Sequence, residues 1–134
     1  MKKIFFDTYA IICFAAKEKN FEIVEKRIKA VELGKAEGLI SGITLTELIY
    51  LVGKESEQKA FNLIALLEES RIKIIDCTKD ICIKAGNIKL KYRQKKLSTA
   101  DSVIIATAAK EKADETISGD DEWKNMEEIN LIEI

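Results

Sequence analysis

Short apolar runs alternate along the chain with longer stretches in which apolar residues return every three or four positions. KKIFFD, residues 2–7, reads as a buried strand, and YAIICFAA behind it as a helix. NFEIVEKRIKAVELG carries apolar residues at 21, 23, 24, 28, 31 and 33 among charges and stops at Gly34, the pattern of an amphipathic helix with a glycine end. GLISG supplies a brief strand. ITLTELIYLVG and SEQKAFNLIALLEES predict two successive helices broken near Gly53. RIKIIDC reads as a strand, TKDICIKAGNIKLKYRQKK as a long helix with a basic end, and LSTADSVIIATAAKEK as a largely buried helix. ETIS is a strand entering a turn, EWKNMEE a short helix and INLIEI a final strand.

Strands that alternate with helices imply an α/β domain, a three-layer sandwich whose central, mostly parallel sheet is covered by helices on both faces. No repeat, linker or low-complexity segment divides residues 1–134, so one domain is expected. Sheets of this kind gather ligands at the carboxyl ends of their strands, near the point where strand order reverses. Asp7, Asp76, Asp120 and Asp121 all fall at such ends.

Composition removes several alternatives. The 134 residues hold 22 Lys and Arg against 23 Asp and Glu, so no global field draws the chain to nucleic acid and any such site is local. There is no histidine, which excludes every Ser-His and Cys-His triad and the commonest metal ligand. Cys13, Cys77 and Cys82 lack metal-ligand spacing and sit in apolar segments; they are expected to be buried thiols in a reducing cytoplasm. No run reaches the length of a membrane span. The apolar N-terminal stretch is interrupted by Asp7 and is read as folded structure, not as a leader.

Three windows contain a single charge, and in each it is an acid: Asp7 in IFFDTYAIICFAA, Glu47 in GLISGITLTELIYLVG and Asp101 in LSTADSVIIATAA. A carboxylate in such company is costly unless it is paired. Thr44-x-x-Glu47 and Ser98-x-x-Asp101 both match the capping box, while Asp7 and Asp120 stand where an N-cap would. Capping and chemistry therefore both account for these acids, and sequence leaves the choice open.

The ordered motifs FFDTYAII, TLTELIY, LSTADSVIIATA and ISGDDEW resemble those of the PIN-domain ribonucleases, and most nearly the small VapC-type toxins of prokaryotic toxin-antitoxin pairs. The resemblance spans nearly the whole chain. It implies a PIN-like fold and a catalytic, metal-binding set of Asp7, Glu47, Asp101 and Asp120. Ser118, Gly119 and Trp123 match the last motif around Asp120, although the adjacent Asp121 competes for that place. Thr8 also matches. Tyr9 departs, since a small hydroxyl residue is usual at its position.

Crowded carboxylates repel one another and a divalent cation relieves them; an all-oxygen set without His or Cys selects hard ions, so Mg²⁺ or Mn²⁺ is the expected cofactor. Asp7 and Asp101 are the expected direct ligands. Glu47 would bind through water or orient the nucleophile, and Asp120 would be a ligand or its support. Thr8 and Ser118 stand as supporting donors, or simply as turn and cap hydroxyls. The reaction implied is endoribonucleolytic hydrolysis by an ion-activated water.

KLKYRQKK provides Lys89, Lys91, Arg93, Lys95 and Lys96 for RNA phosphates and Tyr92 for base stacking, unless these cations merely answer a helix C-terminus. Trp123 is read as core. By the same resemblance, LIYLVG and KAFNLIALLEES would contribute to a homodimer and to an antitoxin groove, though core burial would also use them.

Dehalogenase-like phosphatases and receiver domains need further acids near Asp7 that are missing here: Tyr9 occupies the second-aspartate position of the former. A PIN-like RNA-processing factor, or a fold that binds RNA or protein without cutting, is the remaining alternative.

Overall fold

A computed structural model describes all residues 1–134. Five strands, β1 (Lys3–Phe6), β2 (Glu37–Ser41), β3 (Lys73–Ile75), β4 (Glu115–Ser118) and β5 (Leu131–Glu133), form one sheet in the order β3-β2-β1-β4-β5, and every pairing is parallel. The helices are α1 (Thr8–Ala15), α2 (Phe21–Glu32), α3 (Gly42–Gly53), α4 (Glu57–Glu69), α5 (Lys79–Lys91) and α6 (Thr99–Lys110).

Period-two alternation in β1 sorts the two cores. Phe5 faces a layer built from α5 and α6, with Leu39, Ile81, Ile88, Ile104 and Trp123, while Ile4 and Phe6 face Ile11, Val24, Leu48 and Leu67 from the first four helices. Trp123 is 1% exposed, so it is core. No helix is long and apolar enough to cross a membrane.

Helix ends follow local chemistry. Gly34, at φ +72°, closes α2 in a Schellman arrangement: Lys35 N donates to Ala30 O at 2.8 Å and Gly34 N to Val31 O at 3.0 Å. Gly38 in β2 lets α2 settle on the sheet, since a Cβ there would lie 2.9 Å from Val31.

Four expectations change. The α5 helix stops at Lys91, with Tyr92 as its C-cap, so RQKK lies beyond it. EWKNMEE forms only a single 3-10 turn, Asp121–Trp123, too short to bury the face a longer helix would need. The α3 helix starts at Gly42 on a Ser41 cap (Ile43 N to Ser41 Oγ, 3.2 Å), which puts Thr44 inside the helix and leaves no Thr44–Glu47 capping box. Cys77 and Cys82 are exposed, and only Cys13 is buried. The reason is positional: Cys77 follows the edge strand β3, and the core side of α5 belongs to Ile81, Ala85 and Ile88.

The amino-terminal edge of the sheet holds an ion cluster around the buried Glu115. Arg27 Nε and Nη2 donate to Glu115 at 3.0 and 3.3 Å, and Lys2 lies 3.1 Å from the same carboxylate. Arg27 is the main reason that Glu115 stays below the usual carboxylate range, against the effect of burial. Arg27→Ala is expected to cost about 1–3 kcal/mol in a urea melt, less than a fully orphaned buried charge because Lys2 remains. Because Arg27 lies at the edge remote from the loops after β1 and β4, any activity should survive it at temperatures where the variant is folded.

Candidate functional site

From β1 the chain crosses to β2 and β3 on one side, then returns to β4 and β5 on the other. The strand order therefore reverses between β1 and β4, and the loops beyond their carboxyl ends flank the crevice where such sheets bind ligands. Asp7 directly follows β1, Ser118 is the last residue of β4, and Gly119 and Asp120 come after it.

Asp7 is the N-cap of α1. Its Oδ1 accepts from Ala10 N at 2.6 Å, its backbone N–H donates to Ile117 O at 3.1 Å, and the residue is 2% exposed. Burial pushes its carboxyl up to about 7; hydrogen bonds from Ser118 and the Ala10 amide oppose the rise, and the charges of Asp101 and Asp120 add to it.

Asp101 is the third residue of α6, where Ser98 N donates to its Oδ2 at 3.1 Å while Asp101 N donates to Ser98 Oγ at 3.0 Å. This is the capping box that the sequence allowed. Burial also raises the Asp101 carboxyl; the Ser98 bonds oppose, Asp120 adds and Lys89 opposes. Asp120 caps the 3-10 turn, accepting from Glu122 N at 2.9 Å, while its own N–H donates to Ser118 Oγ at 3.1 Å. Three acids thus share one field. Asp121 turns away to Lys124, 3.3 Å distant, and exposes 88% of its side chain.

Glu47 reaches the same end of the sheet from α3. Thr8 Oγ1 donates to Glu47 Oε1 at 2.6 Å. That spends the one Thr8 proton, so the Thr44 hydroxyl, 3.1 Å away, must be the donor to Thr8. Thr44, Thr8 and Glu47 form a directed chain whose two hydroxyl residues are buried. Sequence reasoning took Thr44 only as a cap. The signal that finds it is its spacing three before Glu47 once the helix is known to begin at Gly42, which puts both residues on one face.

No three acidic or thiol side chains converge in metal-binding geometry, because each carboxylate is turned to a protein donor. Taking up an ion would draw at least one of these acids from its cap.

The basic segment is largely engaged elsewhere. Lys91 pairs with Glu127 and with Glu128 (2.8 Å), and Tyr92 Oη donates to Glu128 at 2.6 Å. Lys89 Nζ donates to Leu97 O at 2.7 Å, Lys95 Nζ to Lys124 O at 3.1 Å and Arg93 Nη1 to Leu90 O at 3.2 Å. The Lys96 side chain is the one cation of the run without such a bond; only its backbone N–H is tied, to Glu122 at 3.2 Å.

The family model described as PIN domain matches residues 4–129. The chain belongs to the PIN-domain family.

Among solved structures, this PIN domain is similar to a chain of Rickettsia felis VapBC2 bound to a promoter DNA fragment, at 18% identity and TM-score 0.78, covering 98% of each chain. It is also similar to VapBC-1 of nontypeable Haemophilus influenzae, at 24% identity and TM-score 0.73, over 98% of this chain and 97% of that one. A third likeness is to Mycobacterium tuberculosis VapC20, described as a sarcin-ricin loop cleaving toxin, at 19% identity and TM-score 0.70, over 95% and 98%. No curated protein matches the chain. At these identities the likenesses establish the PIN fold, in agreement with the all-parallel sheet and its two helical layers.

Proposed function

We propose that this PIN domain is a metal-dependent endoribonuclease and the toxin of a toxin-antitoxin pair. The observation that carries the nuclease reading is the shared field of Asp7, Asp101 and Asp120 at the switch point, with Asp7 held in a site so dry that it ionises only near neutrality. A shared field of three acids is a poor way to secure two helix starts and a 3-10 turn, and a divalent cation removes its cost. The donors are all oxygens, and the chain has no histidine, which favours Mg²⁺ or Mn²⁺.

Asp7 and Asp101 would hold the ion and Asp120 would complete or brace the set. When bound, the ion acidifies a water and neutralises charge on the phosphoryl oxygens. Glu47, held by the Thr8 hydroxyl, would orient the attacking water and take up a proton there, a role that histidine cannot fill in this chain. Ser118 Oγ accepts from Asp120 N and the same hydroxyl favours the ionised form of Asp7, so it would support both acids. Lys89, in the field of Asp101, and Lys96 are the members of the basic segment best suited to RNA phosphates.

The toxin half draws on the VapBC likenesses and on an apolar groove of about 420 Å³ between α1, α2 and α4, lined by Ile11, Phe14, Ile28, Leu63, Leu66 and Ile72. It suits an apolar antitoxin segment. Ile49, Tyr50 and Phe61, exposed on α3 and α4, would serve a homodimer.

The test is cleavage of a mixed single-stranded RNA pool with Mn²⁺ or Mg²⁺ and with EDTA. Wild type is expected to cut only with metal, and Asp101→Asn to lose at least about 100-fold. Equal cutting by both proteins would reduce Asp101 to its capping role and end the carboxylate mechanism.

A further inference from the structure

Beside Asp120 lies a second cavity, of about 390 Å³, walled by Tyr9, Glu18, Lys19, Gly119, Asp120 and Ile134. Tyr9 projects from the first turn of α1, two residues after Asp7, and is 57% exposed. It belongs to neither core, so neither core depends on its ring. Opposite it, Gly119 offers backbone without a side chain. The turn between α1 and α2 forms the rim: Lys17 and Asn20 sit at positive φ, and Cys13 Sγ donates to Lys19 O at 3.4 Å, which fixes the turn. Neither Lys17 nor Lys19 enters an ion pair, in contrast to Lys91.

We propose that this cavity receives an unpaired nucleobase of the RNA strand, stacked on Tyr9, next to the phosphodiester that is cut. The inference rests on the nuclease reading above and names how the same site grips its substrate. A single strand crossing a carboxylate site needs two things from the protein: an aromatic face for a base and a cation for a flanking phosphate. Tyr9 presents the first and Lys19 the second, on the same cavity as Asp120. The volume lies within the range of small-ligand sites and has room for one base, not for a helix of paired bases. Glu18 adds an acceptor at the rim for base amino groups.

The cut site is first mapped in single-stranded RNA with Mn²⁺, and oligonucleotides lacking the base at each flanking position are then compared with intact RNA. Wild type should slow at one abasic position by roughly 5- to 150-fold, the range of one base-aromatic stack. Tyr9→Ala should lose the same factor on intact RNA and be indifferent to that abasic position, while Tyr9→Trp restores both rate and sensitivity. The solvent position of Tyr9 makes these variants safe for folding. If Tyr9→Ala cuts intact RNA at the wild-type rate, or slows further at every abasic position, the base pocket is wrong and the nuclease stands. If wild type cuts no RNA with metal present, both readings fall.

Discussion

Asp7→Asn should do two things of opposite sign: abolish metal-dependent RNA cleavage and make the metal-free protein more stable at pH 7.5. The loss of activity is expected to be on the order of 10³-fold, because a neutral amide cannot replace a carboxylate that holds the ion. The gain in stability follows from burial. Asp7 is 2% exposed and ionises near pH 7, so at pH 7.5 the folded state carries a charge it would rather lack. Asparagine caps a helix as well as aspartate does, so the bond from Ala10 N can survive the change. The rise from 3.8 to about 7 sets the ceiling at roughly 4 kcal/mol, of which the buried amide will return part; about 1–3 kcal/mol is expected, a Tm increase of several degrees. A structural aspartate gives the reverse pattern. If Asp7→Asn lowers the metal-free Tm and leaves Mn²⁺ affinity alone, the carboxylate serves the helix and not an ion.

The strands and helices were legible in the chain because each is written in local terms. KIFF, EGLIS and ETIS are apolar runs with β-prone residues, and the caps Asp7, Ser98 and Gly34 mark helix ends where side-chain and backbone chemistry alone decide. The end of α5 was not legible. KLKYRQKK continues a good helical composition, and it stops because Tyr92 and Lys91 find Glu128 and Glu127, more than thirty residues away in sequence. The same long-range pairing engages Lys91 and Tyr92 of an apparent phosphate-binding run, while Lys89 and Arg93 bond to nearby backbone carbonyls. The start of α3 was misjudged for a local reason: two hydroxyl residues, Ser41 and Thr44, compete for one cap, and the β2 register fixes Ser41 in the sheet with its side chain at the helix start. The gathering of Asp7, Asp101 and Asp120 needed only topology, since Asp7 and Asp101 each stand alone in an apolar window and Asp120 closely follows the strand ETIS. The Thr44–Thr8–Glu47 chain needed coordinates, because no pattern reports which way a hydroxyl donates.

Without histidine, the chain offers a clean pH window, and metal should invert the slope of stability across it. Between pH 5 and 7.5 the carboxyl that dominates the titration is Asp7, raised to about 7, and the Asp101 carboxyl is raised by burial in the same direction. Both bind protons more tightly folded than unfolded, so the stability they contribute is complete below the unfolded value of about 3.8 and is lost as pH rises through the folded value, about 7 for Asp7. Carboxylates held low, such as Glu115 by Arg27 and Glu37 by Lys73, act in the other direction and below this window: their contribution is lost as pH falls through their folded values. In EDTA, Tm should therefore peak near pH 5 and decline to about pH 7.5. Mn²⁺ binds the ionised acids and displaces their protons, and at about 100 times its Kd it stabilises by about 2.7 kcal/mol. In saturating Mn²⁺ the decline should vanish or become a rise, so that the gap between the two curves widens with pH. Thermal melts from pH 4.5 to 8 with and without Mn²⁺ read this directly. A flat EDTA curve would mean that Asp7 is not raised by its burial, and parallel curves would mean that ion binding does not involve it. In Asp7→Asn most of the slope should be gone from both curves, since the remaining share belongs to Asp101, which is only partly buried beside its Ser98 donors.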